Sequence, residues 1–293
     1  MLQAVTYKGR SVLCLLLLLA ASCAAPPQRL DAIAEDHGFQ REVVRSDRYE
    51  HVVFRNFSTT STETLSVYLE GDGSPWLMRY IRMSDPTPRR PLMLNLMALD
   101  HQPSLYLGRP CYNGYANASG CEPRMWTSAR YSPAVVRSLL SVLSDEIKRL
   151  GVADVRLYGH SGGGTLAMLL AEHLPEVTRI VTLAGNLNID GWTELHGYTP
   201  LYTSLNPIRR PALRDQIEQI HLLGRSDSNI PPRLVTGWIA RQRNATGVLL
   251  DGVDHTCCWK RLWPGVLDSL QSGPPYRWPG KLIQNLSGLN AEG

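Results

Sequence analysis

The sequence predicts an α/β protein with a mainly parallel central sheet and helices on both faces. Three observations lead there. Short β-branched segments alternate with amphipathic helical ones along most of the chain. A glycine-rich turn, Gly159-His160-Ser161-Gly162-Gly163, joins one such strand to one such helix. An aspartate and a histidine, Asp227 and His255, then follow two later strands in that order.

The elements follow in sequence. Residues 41–45 and 51–56 are β-branched and bounded by polar side chains, which predicts two strands. Residues 65–69 predict a third, running directly into Glu70-Gly71-Asp72-Gly73. A helix is expected over 89–100 and a strand over 104–107. Ser132-Pro133 supplies a cap and a first-turn proline for the next helix. Its apolar positions Val136, Leu140, Leu143, Ile147 and Leu150 recur at the helical period, and Gly151 ends it. Strands are expected at 155–158, 179–183, 219–223 and, last, 247–250, with helices at 165–174, 233–241 and 259–270. Strands alternating with helices of this length imply a parallel sheet covered on both sides. Residues 186–210, rich in Gly, Pro, Asn and Thr, form the longest irregular stretch, where a cap or lid would sit.

Composition narrows the function. Of 293 residues, 43% are hydrophobic and 19% charged, enough for one large core and too apolar for a disordered chain. A net charge of +4, without a basic stripe interleaved with aromatics, argues against nucleic acid as a partner.

The first residues speak to location. Lys8 and Arg10 precede an apolar run over 12–21, and Ala20-Ala21-Ser22-Cys23 follows, the layout of a secretory signal peptide. The run is too short for a mature transmembrane anchor. The segment resembles a bacterial lipoprotein lipobox, which implies a lipid on Cys23 and a mature chain that begins there. Ala20 stands where that motif usually has Leu, so ordinary signal cleavage, giving a secreted or periplasmic soluble protein, is the alternative. Ala24 after the cysteine implies sorting to the outer membrane, facing the periplasm. The expected organisation is a signal over 1–22, a lipid-anchored tether over 23–40, a single domain over 41–272 and a C-terminal tail over 273–293.

Export places the remaining cysteines in an oxidising compartment. The simplest pairing joins Cys111 to Cys121 around a small Gly- and Asn-rich loop. The adjacent Cys257 and Cys258 either bond to each other or stay reduced and buried. No C-x-x-C spacing occurs, so no metal is expected.

The chemistry centres on Ser161. A G-x-S-x-G turn between strand and helix holds a serine in a conformation that only small neighbours, here Gly159, Gly162 and Gly163, permit. A hydroxyl needs a base, and His255 after the last strand fits that role, with Asp227 orienting it. His160 is held beside the serine by its place in the turn. His196 is the rival base, more naturally a pocket or support residue. Asp190 is the rival acid, while Asp254 adjoins His255 and would point away from it. The negative oxygen formed on attack needs two backbone N–H groups. Gly162 offers one; Asp72, or alternatively Gly73, offers the other, and the Asp72 side chain could bind the loop or the substrate.

Over residues 65–263, the pieces YLEGDGSPW, LGRPCY, WTSARYS, GHSGGG, LAGNLNIDGW, SLNP and DHTCCW resemble a family of bacterial α/β hydrolases. The resemblance implies the α/β-hydrolase fold with Ser161 and His255 as nucleophile and base. At the acid, Gly224 and Asp227 precede Ile230-Pro231 where the family shows Val-Pro. The expected activity is cleavage of an ester, thioester or amide in a small-molecule or lipid-like acyl substrate, with no cofactor. A non-catalytic envelope scaffold on the same fold is the alternative. Oligomeric state is left open.

Overall fold

The computed structural model describes residues 25–279 and 282–285. Helix α1 (Pro26–Asp36) leads into strands β1 (Gln40–Arg45), β2 (Glu50–Arg55) and β3 (Thr64–Leu69). A small hairpin, β4 (Trp76–Leu77) and β5 (Ile81–Arg82), precedes α2 (Leu92–Met97), β6 (Ser104–Leu107) and α3 (Pro133–Leu150). Then come β7 (Asp154–His160), α4 (Gly162–Ala171), β8 (Val177–Leu183), α5 (Ile189–His196) and β9 (Glu218–Gly224). The last elements are α6 (Thr236–Ile239), β10 (Ala245–Leu250), α7 (Trp259–Ser272) and β11 (Leu282–Asn285).

Nine strands form one sheet in the order β1-β2-β6-β3-β7-β8-β9-β10-β11. The six from β6 to β10 in that order are parallel. The pairs β1–β2, β2–β6 and β10–β11 are antiparallel. Side chains alternate across the pleat, so both faces bury apolar surface. Leu65, Val67 and Leu157 pack with Leu139, Leu143 and Ile147 of α3 and Leu166 and Leu170 of α4. Tyr68, Tyr106, Tyr158 and Leu222 pack on the other face with Leu30 of α1, Met93 of α2 and Trp259 and Trp263 of α7.

The sheet and its two helical layers match the expected architecture. Helix α3 starts where Ser132 Oγ accepts the Val135 N–H at 3.4 Å and stops at Gly151, which has φ 67°. Its buried stripe is wider than the expected seam, adding Val135, Leu139 and Val142 and leaving Leu140 half-buried.

Several expectations need correction. Residues 26–36, placed in the tether, are helical; two prolines fit the first turn, where no N–H partner exists, and Leu30 and Ala34 are buried. The stretch 186–210 is not irregular throughout, because α5 lies within it. β10 is not the last strand, since part of the 273–293 tail adds β11 at the sheet edge. The expected helix over 233–241 splits into a 3-10 turn (Pro232–Leu234) and the short α6. The β4–β5 hairpin was not expected from periodicity.

Cys111 and Cys121 are bonded, with Cα atoms 5.5 Å apart, and the adjacent Cys257 and Cys258 are bonded to each other. The signal segment and Cys23 lie outside the described residues. Among the described residues, no helix is long and apolar enough to cross a membrane.

Candidate active site

Strand β7 ends at the centre of the sheet and passes into α4 through Ser161, whose φ of 52° is left-handed. The turn closes so tightly that a Cβ on Gly159 would stand 2.4 Å from the Gly163 carbonyl, and one on Gly163 2.1 Å from that of Leu69. The Ser161 N–H donates to the Leu183 carbonyl at 3.0 Å, and its own carbonyl accepts from Gly164 and Asn186. The serine is thereby fixed to the end of β8, over the start of a helix whose dipole favours negative charge.

The loop after β10 brings His255 over this serine. His255 Nε2 lies 3.1 Å from Ser161 Oγ, and its Nδ1 lies 2.9 Å from Asp227 Oδ2. Asp227, in the loop after β9, has a fully buried side chain, whose Oδ1 accepts N–H groups of Asn229 and Ile230 at 2.8 Å each. That leaves Oδ2 for the histidine alone.

The rivals are engaged elsewhere. Asp190 accepts from Asn206 Nδ2 and pairs with Arg209, both at 2.7 Å. Asp254 accepts the N–H groups of Thr256 and Cys257. His196 Nε2 meets the Asn229 carbonyl at 2.8 Å, so it braces the loop that carries Asp227. His160 Nε2 lies 2.7 Å from the His255 carbonyl. Burial, reinforced by the neighbouring His255, pushes the His160 pKa down to about 3. His160 is therefore neutral, and the nitrogen facing a carbonyl must carry its proton.

The loop after β3 lies against the elbow: a Cβ on Gly71 would be 3.5 Å from Ser161 Cβ. Among the described residues, no backbone carbonyl accepts the N–H of Asp72, Gly73 or Gly162. The Asp72 carboxylate is turned inward. It accepts from Arg130 Nη1 at 2.9 Å and from the Tyr131 hydroxyl at 2.6 Å, and Arg109 Nη2 stands 2.9 Å away. Burial alone would raise its pKa, but Arg130 and Arg109 outweigh that and hold it below the ordinary carboxylate value. The Tyr112 hydroxyl donates to the Asp72 carbonyl at 3.1 Å. A Cβ on Gly162 would meet the Asp72 carboxylate at 2.1 Å, which adds a second reason for that glycine.

The clamp of Arg109, Arg130 and Tyr131 was missed by sequence reasoning. Its signal was two arginines in otherwise apolar, aromatic stretches that also prove buried. Among the described residues, no group of His, Cys, Asp and Glu is placed to hold a metal ion.

No family model matches the chain, and no curated protein matches it either. Solved structures do. A carboxylesterase from Bacillus subtilis is 13% identical, with 85% of this chain and 99% of that one covered and a TM-score of 0.51. An esterase from Pyrococcus furiosus is 14% identical, with 84% and 94% covered and a TM-score of 0.55. A puromycin-hydrolyzing peptidase from Mycobacterium tuberculosis is 12% identical with a TM-score of 0.57; 85% of this chain is covered and 41% of that one. At such identities the likeness speaks for the fold, and the chain has the α/β-hydrolase fold.

Proposed function

We propose that the chain is a serine hydrolase that cleaves an ester, thioester or amide through an acyl-serine intermediate. One observation carries the reading: a continuous chain from Ser161 Oγ to His255 at 3.1 Å and on to Asp227 at 2.9 Å, starting from a serine in a left-handed elbow. His255 Nε2 takes the proton as Ser161 Oγ attacks the acyl carbon, then gives it to the leaving group. Asp227 keeps the Nδ1 proton in place and stabilises the imidazolium. The N–H groups of Gly162 and of Asp72 or Gly73 meet the developing oxyanion. Water then enters by the same base and releases the acid. The substrate class is a small-molecule or lipid-like acyl compound.

A fluorophosphonate probe tests this. Wild-type protein should be labelled at Ser161, and Ser161→Ala should not; no labelling of folded wild-type protein supports the non-catalytic scaffold. From the leader sequence we further propose export in a bacterial cell and acylation of Cys23 at the outer membrane. Incorporation of a labelled fatty acid that survives Cys23→Ser would count against it.

A further inference from the structure

The β4–β5 hairpin rises from the loop that carries Asp72. Its stem is fixed: Ser74 N–H donates to the Pro86 carbonyl at 2.8 Å, Met83 N–H to Pro75 at 3.0 Å, and the Trp126 indole to Met83 at 3.2 Å. Beyond that stem, every residue from Trp76 to Arg82 is exposed. The exposed apolar side chains are large, with Met78 77%, Tyr80 85% and Ile81 57% accessible, beside Trp76 and Leu77. A soluble surface normally scatters such residues singly. The tip is a three-residue loop, Met78 to Tyr80, between the paired Leu77 and Ile81, closed by Tyr80 N–H to the Leu77 carbonyl, with Met78 at φ 51° and Arg79 at φ 68°. Turns of this hand usually take Asn-Gly, so bulky Met and Arg here are held against their backbone preference.

The charge is one-sided. From Trp76 to Met83 the sequence reads WLMRYIRM, with two arginines and no acid; past Asp85, whose carboxylate accepts the N–H groups of Thr87 and Gly114, exposed Arg89 and Arg90 follow. Arg79 lies 5.6 Å over the Tyr198 ring, so the hairpin leans on the segment after α5, which exposes Tyr202, while Leu195 is exposed in the last turn of α5. Trp and Tyr flanked by arginine suit the boundary between lipid headgroups and acyl chains.

The start of the described chain lies on the same side. A Cβ on Gly114 would stand 3.7 Å from Pro27, and the Gly114 N–H donates to Asp85, three residues past β5, at 3.1 Å. From Cys23 to Pro27 the chain spans at most roughly 14 Å when extended. The acyl group proposed above on Cys23 would then tie the chain within that reach of Pro27, a support that rests on that proposal.

We propose that the β4–β5 hairpin docks on an anionic lipid bilayer, seating Trp76, Leu77, Met78, Tyr80 and Ile81 at the headgroup boundary while Arg79 and Arg82 meet lipid phosphates. The docking requires no turnover at Ser161. It turns the loop that carries Asp72, and with it the elbow, toward the membrane surface.

The test uses the full chain as Ser161→Ala, so that no hydrolysis alters the lipid. Vesicles of phosphatidylglycerol with brominated acyl chains should quench its tryptophan fluorescence. Of the seven tryptophans, Trp76 should account for most of that quenching, which Trp76→Phe removes. Brominated phosphatidylcholine vesicles, or Arg79→Gln with Arg82→Gln, should lower the Trp76-dependent part by about threefold or more. Equal quenching in Trp76→Phe and its parent overturns the proposal, as does equal quenching by the two lipids. A lipid-free dimer that Trp76→Ser with Tyr80→Ser and Ile81→Ser dissociates also overturns it, because a second copy then covers the face. Thermal melting checks that these surface changes leave the fold intact; if the triple variant melts early, the Trp76→Phe comparison decides.

Discussion

Replacing Asp72 with Asn keeps the shape of the clamp and removes its only negative charge. Arg109 and Arg130 are 3% and 5% exposed, so water cannot replace the carboxylate. Breaking a buried pair by removing one partner costs about 3–5 kcal/mol, a large part of a total stability of about 5–15 kcal/mol. At this size each kcal/mol lowers the melting midpoint by about 2–4 °C, so a fall on the order of 10 °C is expected. Urea unfolding followed by tryptophan fluorescence reads the change as a lower midpoint at unchanged slope. The pH dependence has a defined sign. Asp72 has its pKa held below the ordinary value, so its contribution is present at pH values above that value. It is lost as pH falls through the folded pKa, and the gap between wild type and Asp72→Asn should close only in that acid range. A difference below about 0.5 kcal/mol at pH 7 would refute the clamp as a stability element.

Gly163→Ala should yield no soluble folded protein, because its Cβ meets a strand carbonyl at 2.1 Å; Gly71→Ala, whose nearest neighbours are 3.3–3.5 Å away, should fold, and expression of the two side by side checks this. Cys111→Ser with Cys121→Ser opens a loop of 10 residues' separation and should cost about 3 kcal/mol in urea unfolding, with no loss counting against a stabilising bond. Burial lowers the pKa of His51 to about 4 and of His160 and His221 to about 3, so all three stay neutral in the fold. Their contribution is present above the ordinary histidine value and is lost as pH falls below it. Burial raises Glu70 to about 7, which acts in the opposite direction between its ordinary value and there. Three groups against one leave a net loss of up to about 3 kcal/mol per pH unit between about pH 6 and 4.5, and a flat stability profile there would sink this account.

The parts legible in the sequence were those set by local pattern. Period and caps located α3, and β-branched runs bounded by polar residues located most of the sheet. The elbow and its Ser161 could be placed because the glycines sit between a strand and a helix, and Asp227 and His255, now within hydrogen-bond reach, were singled out by their order after later strands. What escaped depends on contacts distant in sequence. Leu30 and Ala34 make α1 a helix only because α2 and the sheet edge receive them, and no short window shows that. The Asp72 clamp joins residues 58 and 59 positions apart in its hydrogen bonds, beyond any motif spacing. The hairpin has neither Asn-Gly nor alternation to announce it, since its non-glycine turn breaks the usual rule.

His160 has one more consequence. Its backbone belongs to the turn that carries the serine, and its ring holds the carbonyl of His255, which the Trp259 indole also grips at 3.2 Å. The two loops are thus braced by a strut that does not pass through the Ser161–His255 hydrogen bond. In the acyl-serine intermediate proposed above that bond would be absent, and the strut would hold the imidazole over the ester. On that proposal the incoming water would find the base already in place, with no loosened loop to recapture. The variable position of the G-x-S-x-G turn is here a mechanical link between the serine's turn and the loop that carries His255.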